Sequence, residues 1–277
     1  MIKVGKFNEL AILRSSDHGL YLGDVDESVL LPNKYCPNDY EPGDKLNVFV
    51  YLDHEERPVA TNITPKITLK KFSLLRVSAI TTVGVFMDWG LEKELMVPYK
   101  EQQKKMEEGR SYVVYMDIDE QTNRLYASSR IEKFLQNDTI TVKEGQEVDL
   151  LVWKKTDVGY AIIVNHLHEG LVYENEVFTR LKVGDTMKGF IKKIREDNKI
   201  DVSLSPIGYD NFNDKNTETI LKKLNQAGGF IDIADNSPPQ IIYSTFGMSK
   251  KAYKKAIGAL YKEKKINLSP DGIKLCL

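Results

Sequence analysis

Seven lysines and a single acid occupy the stretch from 250 to 265: Lys250, Lys251, Lys254, Lys255, Lys262, Lys264 and Lys265 against Glu263. Ammonium groups at this density neutralise polyanions. Lysine is a hydrated point charge without the planar fork of arginine, so it suits phosphate oxygens better than base edges. At helical spacing the lysines fall opposite an apolar stripe of Tyr253, Ala256, Ile257 and Leu260. The plainer reading of the same pattern is a solvated face that only keeps the domain soluble.

Groups able to do covalent chemistry are sparse. His166 and His168 stand two apart, as on one face of a strand, and could hold half a metal site. The other histidines, His18 and His54, and the two cysteines, Cys36 and Cys276, do not complete it. There is no nucleophile elbow, phosphate-binding loop or dinucleotide fingerprint. The expectation is a non-enzymatic chain with no cofactor and no metal.

The basic helix needs a domain to present it. Asn216 or Thr217 reads as the cap of a helix carrying Ile220, Leu221, Leu224 and Ala227, ended by Gly228 and Gly229. The segment Ser237 to Gln240 reads as a capping box for a short helix that stops at Gly247. Ser249 then caps the lysine helix, expected from Lys250 to about Lys264, and a hairpin with a Pro-containing turn follows. Three helices and a hairpin make the winged-helix layout, assigned to 210–277.

Upstream, one pattern is written three times. A glycine opens an apolar run (Gly19, Gly84, Gly159), a triplet ends at Pro32, Pro98 or Tyr173, and a turn glycine follows (Gly43, Gly109, Gly184). A basic residue then opens a last strand (Arg57, Arg124, Lys199). The first interval is 13, 14 and 14 residues, the second 11 in all three, the third 14, 15 and 15. Each unit reads as five short strands, in the second unit near 72–81, 85–89, 94–97, 111–118 and 124–129, with a helical composition in YKEQQKKM. That is the plan of an OB barrel. The fold class is therefore mainly β: three tandem OB barrels at 1–65, 66–137 and 138–209, then the α+β winged helix.

The net charge of −1 conceals regional differences. Residues 1–65 hold 6 basic and 11 acidic side chains, and residues 210–277 hold 11 and 7. The C-terminal end is thus the one expected to meet polyanions. No apolar run approaches the roughly 20 residues that span a bilayer, and MIKVGKFNEL is unlike a signal peptide. With the isolated cysteines, this sets the expectation of a cytoplasmic protein without membrane partners.

The repeat resembles the S1 family of RNA-binding OB barrels, which shows a glycine, two spaced aromatics, an acid ending strand four and a basic residue opening strand five. The second unit offers Gly84, Phe86, Trp89, Asp119 and Arg124, with Pro98 where the family has His. The first keeps Gly19, Tyr21, Asp53 and Arg57 but has Asp24 in place of the second aromatic. The third places Tyr160 one position early and Tyr173 at the His position, with Lys192, Lys193, Arg195 and Lys199 nearby. The resemblance implies single-strand RNA binding: rings stack on bases, and Arg or Lys neutralises phosphates. The same rings are open to a core reading, which is preferred for Tyr160. The first unit is open to being only a spacer or a protein-binding surface. The whole order, with GYAIIVN, GLVYENEVF and GFIKKIREDNKIDVSLSP in the third unit, resembles the conserved virulence factor B family, which implies RNA-linked regulation of gene expression. Two other functions remain open: a DNA-binding transcription factor acting through the winged helix, and a protein-interaction scaffold on ribosome or polymerase.

Overall fold

The computed structural model describes residues 1–177, 180–205 and 209–276, without the side chains of 175 and 209–215. The first unit forms β1 (Lys6–Ser16), β2 (Gly19–Gly23), β3 (Ser28–Pro32), β4 (Lys45–Leu52) and β5 (Pro58–Thr61), closed in the order β1-β2-β3-β5-β4. The second forms β6 (Phe72–Ile80), β7 (Gly84–Asp88), β8 (Leu95–Pro98), β9 (Ser111–Ile118) and β10 (Leu125–Ser128). Its order, β10-β9-β6-β7-β8, is the same circuit left unpaired between β8 and β10. The third repeats the closed circuit with β11 (Glu147–Thr156), β12 (Gly159–Val164), β13 (His168–Tyr173), β14 (Thr186–Ile194) and β15 (Ile200–Ser203).

Two devices recur and explain the repeat. The first strand of each unit is broken by a bulge, at Ile12/Arg14, Val77/Ala79 and Val152/Lys154. A bulge bends a strand and sharpens its twist, so one long strand serves both sides of a barrel. The second strand of each unit opens on a glycine because the backbone of the third strand crosses there. A Cβ at Gly19, Gly84 or Gly159 would stand 2.0, 2.7 or 2.1 Å from the carbonyl oxygen of Leu31, Val97 or Val172.

YKEQQKKM is not the helix its composition suggested. Only Tyr99–Glu101 makes a 3-10 turn, after which Gln102 is extended. Met106 is 1% exposed in the core of the second barrel, and that anchor pulls the segment out of helical geometry.

The C-terminal unit contains α1 (Tyr209–Gln226), β16 (Phe230–Ile231), α2 (Pro239–Phe246), α3 (Lys250–Lys262), β17 (Ile266–Ser269) and β18 (Gly272–Leu275), with sheet order β16-β18-β17. The apolar stripe of α3 is fully used: Tyr253, Ala256, Ile257 and Leu260 pack with Ile220, Leu224, Ile242, Phe246 and Ile273. Ser249 caps α3 by accepting from the Ala252 N–H at 3.2 Å, and Gly247 ends α2 at φ 68°. Two expected caps are corrected. α1 starts at Tyr209, so Asn216 and Thr217 lie within it; the Asp and Asn residues upstream offered several competing starts. Ser237 makes no capping box, because its hydroxyl accepts from the Ala234 N–H at 3.0 Å and Pro238 takes the cap position. Among the described residues, no helix is long and apolar enough to cross a membrane.

The barrels are packed against one another. Phe49 and Tyr51 of the first meet the edge of Trp89 of the second, ring centroids 5.8 and 6.0 Å apart. Phe72, Val113, Tyr115 and Ile131 of the second meet Leu151 and Ile163 of the third. This explains why all six residues of β12 are buried: one face fills its own barrel and the other, through Ile163, fills the junction.

His166 and His168 do not share a strand face as a pair. His168 opens β13, fully buried, and its Nε2 meets the Thr141 hydroxyl at 2.7 Å. His166 lies in the preceding turn at φ 56°, and its Nδ1 accepts from the Phe72 N–H at 3.1 Å across the junction. Accepting there requires the neutral ring. Burial holds the His166 pKa below its ordinary 6.5, with Lys71 acting the same way and Asp149 opposing. A lowered folded pKa makes this contribution fully present above pH 6.5 and lost as pH falls below it. We expect the barrel unfolding midpoint to fall between pH 7.5 and 5.5, and to fall less in His166→Asn, whose side chain tolerates the same backbone. Equal pH dependence in both proteins would remove His166 from this role.

Candidate nucleic-acid interface

Phe86 sits mid-way along β7, between the inward Val85 and Met87, and is half-buried on the outer side. It floors a groove of about 210 Å³ walled by Met96 and Leu125 of its own barrel and by Leu52 and Glu56 of the first. Arg124 stands at the rim, and its Nε lies 2.6 Å from Glu56 Oε1 in an ion pair. The expected stacking role of Trp89 is corrected. Its ring is 2% exposed, wedged against Phe49 and Tyr51, and its indole N–H donates to the Lys93 carbonyl. Trp89 borders the groove, but the neighbouring barrel leaves too little of its ring open for a base to stack on.

Asp119 shapes the rim without reaching the groove. Its carboxylate accepts from the Thr122 N–H and hydroxyl, both at 2.9 Å, and from the Gln121 N–H at 3.1 Å. The Thr122 bonds hold its pKa below the usual carboxylate value. The Asp119 N–H also donates to the Arg124 carbonyl at 2.9 Å, closing the turn that delivers Arg124.

In the first barrel, Tyr21 is half-buried on β2 and the Arg14 guanidinium lies 3.8 Å over its ring, so one face already carries a cation. Arg57 is clamped to Asp53 at 2.8 Å and to Glu55 at 2.7 Å. In the third, Tyr173 ends β13 and its hydroxyl accepts from Arg195, which also grips Asp201 at 2.8 Å. Lys192 pairs with Glu176, and Lys199 with Asp197 at 2.8 Å. Tyr160 is in the core, in line with the preferred reading. Lys193 is exposed and makes no ion pair among the described residues.

The lysine set on and after α3 divides in the same way. Lys250 donates to the Asn236 carbonyl at 2.9 Å, Lys254 pairs with Asp235 at 3.3 Å, and Lys265 pairs with Glu263 at 2.8 Å. Desolvation lowers the Lys255 pKa. Lys251, Lys262 and Lys264 are exposed and make no ion pair among the described residues.

Sequence reasoning missed Leu52, Glu56 and Lys93. Leu52 and Glu56 enter the groove only because two barrels dock, and no spacing within one repeat announces that. Among the described residues, no cluster of three or more His, Cys, Asp or Glu could hold a metal.

Three five-stranded barrels with a half-buried ring over a cationic rim, followed by a helical domain with a lysine face, have the architecture of a modular nucleic-acid-binding protein. The first barrel matches the S1 domain model over residues 4–62, and the terminal unit matches the CvfB-like winged helix domain over 218–275. The chain is a homologue of the conserved virulence factor B proteins. The Staphylococcus epidermidis protein of that name is 28% identical over 280 residues, covering 98% of this chain and 93% of the relative. The Staphylococcus aureus protein is 25% identical, covering 98% and 92%. The uncharacterized protein YitL of Bacillus subtilis is 26% identical over 275 residues, covering 96% and 91%. A crystal structure of a multidomain protein with nucleic acid binding domains from Streptococcus pneumoniae covers 99% of this chain and 98% of its own, at 22% identity and a TM-score of 0.43. The S1 match falls on the first unit, although the second carries the fuller set of pattern residues.

Proposed function

We propose that this chain binds single-stranded RNA and acts by that binding, without catalysis, as a cytoplasmic regulator of gene expression. The observation that carries the reading is the groove at Phe86: an aromatic floor, apolar walls and an arginine at the rim. One ring offers a stacking platform for an unpaired base, and the arginine offers a phosphate contact. A paired base has no free face to give, so the groove favours single strands. Tyr173 and Lys193 extend the same chemistry onto the third barrel, and the α3 lysines add phosphate contacts without base readout.

The deciding experiment is fluorescence anisotropy with labelled strands of about 20 nucleotides: single-stranded RNA, single-stranded DNA and duplex DNA, each at two salt concentrations. Tight, salt-sensitive binding to RNA with weaker binding to the duplex supports the reading. Duplex preference would move the function to α3, and no binding to any strand would assign the barrels to a protein partner.

The uncommitted lysines give a quantitative check. Single-strand binding loses about 0.7 in the slope of log K against log salt per phosphate neutralised. Lys251→Gln with Lys262→Gln is therefore expected to flatten that slope by about 1.4 while leaving the fold intact. An unchanged slope would mean that this face never meets the strand.

A further inference from the structure

The arginine at the rim of the groove is already occupied, and its occupant comes from the other barrel. Glu56 lies in the β4–β5 turn of the first barrel and meets Arg124 of the second at 2.6 Å. Both side chains are open to solvent, 40% and 59% exposed, so this pair is a surface contact that a ligand can reach. The turn behind Glu56 is well tied. Its N–H donates to the Asp53 carbonyl at 3.0 Å, and the Asp53 carboxylate accepts from the Glu55 and Arg57 N–H groups at 2.8 and 2.9 Å. Lys93 of the second barrel donates to the Asp53 carbonyl at 2.7 Å and fastens the turn across the junction. The φ of 66° at Glu56 is a conformation that few side chains adopt without such support. A carboxylate oxygen beside an arginine guanidinium occupies the place a phosphate oxygen would take. The groove, at about 210 Å³, is smaller than the roughly 300–1,000 Å³ of a drug-sized pocket, so its scale is that of a single base.

We propose that Glu56 is a built-in competitor for the strand's phosphate. The groove is a nucleotide subsite shared by two barrels, and a nucleotide that stacks on Phe86 takes Arg124 from Glu56. The first barrel is then neither a spacer nor a second grip. It supplies one wall of the subsite and lowers the affinity of the second barrel. The proposal rests on the reading that the groove holds single-stranded RNA.

The test measures the affinity of a labelled single-stranded RNA of about 20 nucleotides for the full chain and its variants at one salt concentration. Glu56→Gln removes the charge and keeps the shape. It is expected to bind roughly two- to fivefold tighter, the range set by an exposed ion pair. Arg124→Ala is expected to bind more weakly, and adding Glu56→Gln to it is expected to give no gain. Glu9→Gln makes the same charge change at the Lys45 pair of the first barrel and should leave affinity unchanged. Competition is overturned if Glu56→Gln binds no tighter than the parent, if its gain persists without Arg124, or if Glu9→Gln matches it. Loss of affinity in Arg124→Ala alongside an unchanged Glu56→Gln would sink the competition and leave the RNA site standing. An Arg124→Ala variant that binds like the parent would remove the groove as the RNA site, and the proposal with it.

Discussion

Replacing Trp89 with alanine should cost the barrel array about 3–5 kcal/mol, the usual range for emptying a buried tryptophan site. The ring is 2% exposed and touches the edges of Phe49 and Tyr51, so the loss falls on the junction as well as on the second barrel. The measurement is calorimetric unfolding of the full chain. The transition containing the first two barrels should move down. The winged helix, whose core is built only from residues 220–275, should keep its midpoint. Trp89→Phe should recover most of the loss, since an aromatic edge still fills the wedge. Trp89→Ala with an unchanged midpoint and weakened RNA binding would restore the ring to the interface and overturn the burial argument.

Phe86→Ala should do the opposite. The ring is half-buried at the floor of an open groove, so its loss leaves the barrel cores filled and stability nearly unchanged. If the ring stacks on a base, affinity for single-stranded RNA should fall by about 1–3 kcal/mol, roughly 5- to 150-fold. Anisotropy reads the affinity and calorimetry the stability. Phe86→Tyr should retain binding. An alanine variant that unfolds early but, where folded, binds normally would make Phe86 a packing residue.

The contrast between these two rings shows what the sequence could tell and where its reading slipped. Side chains alternate across a strand, so positions 86 and 89 point to opposite faces. Val85 and Met87 are core residues, and Trp89 shares their parity. The alternation is in the chain, and it favours the core reading of Trp89 over the stacking role that the family spacing of aromatics implies. Tyr160 shares parity with Ile162 and Val164 and lies with them in the core of the third barrel, where the preferred reading had it. The repeat itself was legible because its glycines answer to a local cause, the close crossing of two strands. The winged helix was legible because Tyr253, Ala256, Ile257 and Leu260 fall at helical spacing and form one buried face. Helix starts were less so: polar residues cap in many places, and α1 chose an earlier one than Asn216 or Thr217. The composite groove was not legible at all. It depends on Glu56 and Arg124 meeting across 68 residues, and that contact follows from how two barrels dock.

The barrel cations carry a consequence for how binding is measured. Arg57, Arg124, Lys192, Arg195 and Lys199 each hold a carboxylate of the same chain. A phosphate that displaces such a carboxylate exchanges one anion for another. The freed acid gathers cations from solution while the phosphate sheds its own, so few small ions are released overall. The usual inference from ionic-strength dependence to number of contacts will therefore undercount the barrels. Of the cations named for the interface it will report mainly Lys193, Lys251, Lys262 and Lys264, and a strand lying along all three barrels would register as if only Lys193 and the winged helix had touched it.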